Sequence, residues 1–257
     1  MELKNIFKME MFKNRNDKPY LLVIAILTVM AAVASIVGVS MLQMRCADME
    51  TLYILEILLA VFTGIGFAVF SLLYPFHLLN VDYKNRVMSL IFATGVSRGK
   101  YYFVKISATI LSTLLATLVI LFVPMVTFLI AYPDTFVEVV RYILKEFNTA
   151  NILAFVLSST IGLVANIVML TTAVIITKGK TSGIFLFFGF LVIASMVQSP
   201  IQMSVLLPSF FGTTHVGGGF SSTNFYNVTF YLDAAFSILK VIVFALIGLN
   251  VLKKQDL

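Results

Sequence analysis

Four polar side chains lie inside apolar stretches of this sequence, where a lipid environment makes such groups costly. Lys240 and Asp233 are seven residues apart, so a helix carries them on one face, two turns apart. Glu56 and Asn166 lie in two other apolar stretches. All four could line a path for an acidic or amphipathic solute. The alternative is structural: Lys240 snorkels outward or pairs with an acid, and Asn166 bonds a neighbouring helix.

The composition explains why lipid must be considered. Hydrophobic residues make up 60% of the chain and charged residues 12%, whereas a soluble domain has roughly 45–50% and about 25%. The mean hydropathy is +1.01. The net charge of +6 needs no nucleic acid as partner, because cationic loops of membrane proteins set topology and meet anionic headgroups.

Apolar runs predict six transmembrane helices and hence an all-α polytopic membrane protein, taken here as one domain over residues 1–257. A bilayer crossing needs about 20 residues, and only the fifth run is short. The predicted spans are approximately 20–44, 52–80, 106–131, 150–177, 184–197 and 232–252.

Three further segments flank the spans. Residues 1–18 predict an amphipathic helix on the membrane surface, although Glu10 interrupts its apolar stripe and Phe12 falls outside it; a basic topogenic tail is the alternative. Residues 132–149 predict a second surface helix. Residues 198–231 contain no charged side chain. We expect them to dip into the membrane before the sixth span, as a re-entrant segment.

Lysine and arginine set the expected orientation. Fourteen of the 18 lie in the N-terminal tail, the second and fourth connectors and the C-terminus, and three lie in the alternate loops. This bias predicts that both termini and the second connector are cytoplasmic. The chain is then a multi-pass protein of the plasma membrane.

The sequence contains no complete catalytic or metal-binding motif of the following kinds. Cys46 is the single cysteine, and the two histidines fall on opposite sides of the predicted membrane. Ser97 fits a nucleophile elbow, but only His215 follows it, on or near the opposite face. Val174 occupies the position where a phosphate-binding loop ending at Thr181 needs glycine. We therefore expect no enzyme, no metal site and no cofactor bound by this chain.

The second connector, Asp82 to Lys105, is longer than a loop that only joins two helices needs to be. Five of its residues are lysine or arginine, and its centre, Met88 to Phe92, is apolar. This pattern indicates a small structured element that docks a soluble partner. The alternative is that the cations serve only topology.

Within this connector, SLIFATGVSRGKYYFVK (Ser89–Lys105) resembles the cytoplasmic loop of ABC-2-type transporter permeases. Gly95 stands where that family commonly has proline. The six spans, the basic N-terminal helix and the re-entrant piece before the last span extend the resemblance over nearly the whole chain. The matching residues are Asp82, Leu90, Val96, Ser97, Arg98 and Lys105.

The resemblance implies a permease that pairs with a second copy or a paralogue and rests on two separate ATPase subunits, which bind ATP and Mg. The connector then serves as the coupling helix. The chain also resembles permeases that export amphipathic or antimicrobial peptides, such as phenol-soluble modulin exporters of bacteria. The residues implied in ATPase coupling are Asp82, Lys84, Arg86, Met88, Leu90, Ile91, Phe92, Gly95 and Arg98.

Two other functions stay open at this stage. An ion-gradient-driven secondary transporter usually has internal repeats and acidic relays near the midplane, and neither is visible in the sequence. A non-transporting assembly or sensor protein could use the same connector as a partner site. Co-purification of an ATPase with cargo-stimulated hydrolysis separates these classes from an exporter.

Overall fold

A computed structural model describes residues 3–43, 49–85, 87–146, 149–211 and 222–255. At some positions within the helices it describes the backbone and not the side chain. Every regular element in these ranges is an α-helix. In chain order the helices are α1 (Leu3–Arg15), α2 (Lys18–Gln43), α3 (Met49–Lys84), α4 (Val87–Ala93), α5 (Arg98–Ala131), α6 (Pro133–Glu146), α7 (Thr149–Ile176), α8 (Ser182–Phe211) and α9 (Ser222–Lys254).

Six of these helices, α2, α3, α5, α7, α8 and α9, are long and apolar enough to cross a membrane. They correspond one to one with the six predicted spans. The prediction of an all-helical, multi-pass membrane protein is therefore confirmed at this level. The expectation that the whole chain is one domain stays a prediction.

Helix α8 continues to Phe211, well past the predicted end of the fifth span near Val197. Its membrane-spanning part, Ser182–Gln202, has 21 residues, so the fifth span is long enough for a full crossing. The extension is possible because residues 198–211 are mostly apolar and carry no charge. Gln198 and Gln202, polar residues within this extension, both donate to Asp233 on α9.

Much of the predicted re-entrant segment belongs to these two helices. Residues 198–211 continue α8, and residues 222–231 begin α9. Residues 212–221, which include His215, lie outside the described residues. A re-entrant piece in that interval stays a prediction.

Helices α3 and α5, on either side of the second connector, are longer than a bilayer requires. They have 36 and 34 residues, whereas about 20 suffice. Counting about 20 residues back from Ala131 reaches Ser112. The 34 residues of α5 thus exceed one crossing by about 14, the number that precede Ser112 on the side of the connector.

The chain folds as two compact units, and unit 1 comprises Met1–Leu78 and Lys100–Tyr142. Its core begins with three stacked aromatic rings, in which Tyr20 lies 3.6 Å from Tyr74 and Phe70 lies 5.4 Å from Tyr74, centroid to centroid. Aromatic rings bury large apolar areas, so this near-parallel stack stabilises the contact of the two helices. The stack joins α2 to α3, and the rest of this core is Leu27, Leu78, Ala116 and Ile120.

Helix α1 packs on α5 in unit 1 through one face of α1. Ile6, Glu10 and Asn14 recur every four residues and are buried, as one helical face requires. The Glu10 carboxylate pairs with Lys105 at 2.7 Å, which explains why an acid interrupts the apolar stripe. Phe12 is exposed, as its place outside the stripe predicts. That α1 lies on a membrane surface stays a prediction.

Unit 2 comprises Leu79–Gly99 and Ile143–Leu257, and in it α7 packs against α8 and α9. Thr172 of α7 donates a hydrogen bond to the Phe244 carbonyl of α9 at 2.8 Å. The turn after α7 needs glycine at position 179, because its φ is +75° and a Cβ would lie 2.6 Å from Tyr83 Cβ. The predicted tight turn is thus fixed by both conformation and packing.

Helix α6 lies between the third and fourth spans, where the sequence predicts a helix. Pro133 begins it, at the position where a missing N–H costs least. The Phe136 ring packs edge-on against Phe128 at 5.5 Å, while Tyr142 and Leu144 are exposed. Its placement on an outer membrane surface stays a prediction.

Candidate coupling surface and intramembrane polar cluster

The short helix α4 forms the centre of the second connector. Met88 is only 4% exposed, whereas Leu90 is 66% exposed. Ile91 and Phe92 are half-buried. Met88 therefore anchors α4 within the protein, and Leu90 is the apolar side chain of α4 that a partner can reach.

Gly95 ends this helix in a left-handed conformation. Its φ is +82°, and its N–H donates to the Phe92 carbonyl at 3.0 Å. Proline holds φ near −65° and has no N–H, so it could form neither feature. The departure from the ABC-2 pattern at this position thus corresponds to a turn that proline cannot adopt.

Arg98 joins the connector to the end of α9. Its guanidinium donates to the carbonyls of Leu252, Lys253 and Gln255 and lies 5.7 Å from the Phe92 ring centroid. The last carbonyls of a helix lack partners within the helix, and a cation there also favours the helix dipole. Arg98, one of the residues implied in ATPase coupling, is engaged inside unit 2.

Gln255 extends this junction to two further helices. Its Nε2 donates to the Ile175 carbonyl, near the end of α7. Its Oε1 accepts from the Tyr83 hydroxyl of α3 at 3.4 Å. The ends of three helices and the connector therefore meet at one residue, Gln255, whose side chain bonds α3 and α7 and whose backbone carbonyl accepts from Arg98. Sequence reasoning missed Gln255, since nothing in the closing KKQDL distinguishes it from a solvated tail.

The remaining predicted coupling residues differ in exposure. Asp82 is fully buried and Lys84 is exposed. Arg86 lies outside the described residues. Of these three, Lys84 is the one that the structure shows available at the surface.

A polar cluster joins α8 to α9 within the spans. Lys240 Nζ donates to Gln198 Oε1 at 2.7 Å, and Gln198 Nε2 donates to Asp233 Oδ1 at 2.8 Å. Gln202 Nε2 donates to the same oxygen at 2.5 Å. Lys240 thus reaches the expected acid through an amide. Gln198 was missed as a site residue because the sequence reading placed it in the re-entrant segment.

Lys240 lies near the middle of its span, as the predicted span 232–252 also implied. The span of α9 runs from Thr229 to Lys254, which puts Lys240 near its middle and Asp233 near its first turn. Lysine has three N–H donors and a carboxylate has two oxygens. Gln198 takes one donor and Asp233 Oδ1 accepts both amides, so within the described part of the chain the ammonium and Asp233 Oδ2 retain hydrogen-bonding capacity.

The other two predicted path residues do not join this cluster. Asn166 is exposed on α7 although Ala165 and Ile167 beside it are buried. Within the described chain the structure gives Asn166 no hydrogen bond, so the predicted bond to a neighbouring helix is not seen there. The side chain of Glu56 lies outside what is described.

A metal site is not formed by the side chains that the structure describes, since no group of three or more His, Cys, Asp or Glu could hold an ion. Searches of protein-family models, curated proteins and solved structures found no match to this chain. The likeness to ABC-2 permeases therefore rests on the connector pattern and the order of the spans.

Proposed function

We propose that this chain is the permease subunit of an ATP-driven ABC exporter. A separate ATPase docks on the connector of residues 82–105 and supplies the ATP and Mg. The cargo is an amphipathic or antimicrobial peptide, or a similarly hydrophobic solute. The chain itself performs no catalysis.

The observation that carries this proposal is the exposure of Leu90 on α4. A leucine that is 66% exposed on a seven-residue helix is unfavourable in water and suits an apolar cleft on a partner. Ile91 and Phe92 border it, and the exposed Lys84 can act as a rim charge that selects the orientation of docking.

The contacts that Arg98 and Gln255 make beside α4 can transmit force from the connector to the helices. Met88 holds α4 in unit 2, and Arg98 and Gln255 tie the connector to the ends of α9 and α7. In the proposed cycle, closure of the ATPases pushes α4, and these helices change their packing between two states. Arg98 is then a link in transmission, and Lys84 serves as the rim charge.

The cargo path is proposed to include the polar cluster of α8 and α9. Lys240 can release Gln198 and bind a cargo carboxylate, and Asp233 can bind a cargo ammonium. Glu56 and Asn166 are further path residues in this proposal. Such exchange suits peptides that carry both charges on an apolar body.

The assembly has two copies of the ATPase and a second permease, either the same chain or a paralogue. It resides in the plasma membrane of a bacterium, with both termini in the cytoplasm. The fourteen cations on one side of the predicted topology support this orientation.

Leu90→Asp tests the docking. We expect it to abolish co-purification of the ATPase, because a buried unpaired carboxylate in an apolar cleft costs several kcal/mol. Leu144→Asp is the matched control: Leu144 is 56% exposed on α6, and this change should leave ATPase binding intact. Both variants should insert at wild-type levels.

ATPase retention by Leu90→Asp would contradict the docking surface. Full export activity in cells that lack the ATPase would favour an ion-gradient-driven transporter. An ATPase that binds but shows no cargo-stimulated hydrolysis would favour an assembly or sensor protein.

A further inference from the structure

A crevice in unit 1 opens between α1, α2 and α5. Its volume is about 610 Å³, within the range of about 300–1,000 Å³ typical of small-molecule sites. Most of its wall is apolar and comes from Leu21, Ile24, Leu115, Ala116 and Val119.

One end of the crevice is polar. Arg15 lines it, is exposed, and has no ion-pair partner among the residues that the structure describes. Asn14 beside it is 2% exposed. Its Nδ2 donates to Ser112 Oγ at 2.9 Å, and its Oδ1 is buried with no hydrogen-bond partner in the described chain. This end thus combines a free cation with an unsatisfied acceptor.

Helix lengths place the polar end at a membrane boundary. The span of α2 begins at Lys18, three residues after Arg15 in the chain. Counting about 20 residues back along α5 from Ala131 reaches Ser112. Both helices put the polar end at headgroup level, while Ile24 and Val119 lie one to two turns deeper.

We propose that this crevice binds an anionic phospholipid of the bilayer, such as phosphatidylglycerol. The phosphate pairs with Arg15, because a cation at the boundary attracts anionic headgroups. A glycerol hydroxyl approaches Asn14 Oδ1, which needs a donor. One acyl chain follows the apolar wall between α2 and α5. This site would exist whether or not the chain is an exporter.

The test is native mass spectrometry of the full-length protein, delipidated in detergent and titrated with dioleoylphosphatidylglycerol or dioleoylphosphatidylcholine. We expect tighter binding of phosphatidylglycerol. Arg15→Gln should weaken it about five- to tenfold. Arg141→Gln removes an exposed arginine on α6 and should leave it unchanged.

A second pair of variants tests the acyl-chain wall. Val119 lines the crevice and is 46% exposed, so Val119→Phe can fill the space without disturbing a buried core. It should lower occupancy by both lipids. Val123→Phe, one turn further along α5 at a position 38% exposed, does not line the crevice and should bind as the wild type does.

Several results would overturn the proposal. Equal losses in Arg15→Gln and Arg141→Gln would mean that binding follows overall charge. Unchanged binding in Val119→Phe would mean that the crevice holds no acyl chain. Equal affinity for the two lipids would mean that the site does not select an anionic headgroup. Dimers that contain no lipid and that dissociate in Val119→Phe would mean that a second copy of the chain fills the crevice.

Discussion

Two lysines of this membrane protein meet carboxylates in different ways. Lys105 in unit 1 is 2% exposed and contacts Glu10 directly at 2.7 Å. Lys240 in unit 2 is half-buried and reaches Asp233 only through Gln198. The first pair is enclosed between α1 and α5, whereas the second leaves two N–H donors and a carboxylate oxygen without a hydrogen bond among the described residues.

This difference separates a structural contact from one that can exchange partners. A buried charge whose partner is removed stays unpaired, so the Glu10–Lys105 pair fixes α1 on α5. A half-buried lysine that is held by a neutral amide can exchange this amide for another acceptor, and the exchange costs less free energy than breaking the enclosed ion pair. In the exporter that we propose, a cargo carboxylate would therefore displace this amide bridge.

Lys105→Met should have the largest effect. It leaves the Glu10 carboxylate buried without its partner, a loss of about 3–5 kcal/mol. We expect the midpoint of thermal unfolding in detergent to fall by about 10 °C. Lys100→Met, at an exposed position on the same helix, should change it by less than about 2 °C.

The double variant Glu10→Leu, Lys105→Met sharpens this test. Glu10 Oε1 is buried with no hydrogen-bond partner among the described residues, so the pair is not fully satisfied. Replacing both ends by apolar side chains should return the midpoint to near the wild-type value. If the double variant is as unstable as Lys105→Met alone, the unpaired Glu10 carboxylate is not the cause of the lost stability.

How much the sequence could predict depends on whether a residue acts within its own helix or across helices. Apolar runs predicted all six spans, because each depends only on local composition. Glu10, Gln198 and Gln255 were not recognised, because each looks out of place until its partner on a distant helix is known. For Glu10 the anomaly itself was a usable signal: an acid in an apolar stripe requires a partner, and Lys105 was available.

Lys240→Ala should lower stability less than Lys105→Met does, and its main effect should be on transport. The structure gives Lys240 Nζ a single interhelical bond, and such bonds contribute about 1 kcal/mol or less on average in membranes. We expect the unfolding midpoint to fall by no more than about 3 °C. Peptide export should fall several-fold while the ATPase still co-purifies.

Gln198→Leu is the matched control for this lysine. It removes the Lys240–Gln198 bond and also the Gln198–Asp233 bond but keeps the ammonium, so the unfolding midpoint should fall at least as far as in Lys240→Ala while export is retained. Equal loss of export in both variants would show that the bridge is needed for packing. The distinction between an enclosed and an exchangeable lysine would then fail.

Asn166→Leu should have the smallest effect on the folding of the single chain. Asn166 is exposed and the described chain offers it no hydrogen bond, so the substitution removes none; we expect a change of about 0.5 kcal/mol or less. Thr172→Val on the same helix breaks a bond to the Phe244 carbonyl and should cost about 1 kcal/mol. Thermal unfolding of the two variants side by side compares them. Equal destabilisation would mean that Asn166 has a partner after all, and a loss confined to the dimeric fraction would assign that partner to a second copy.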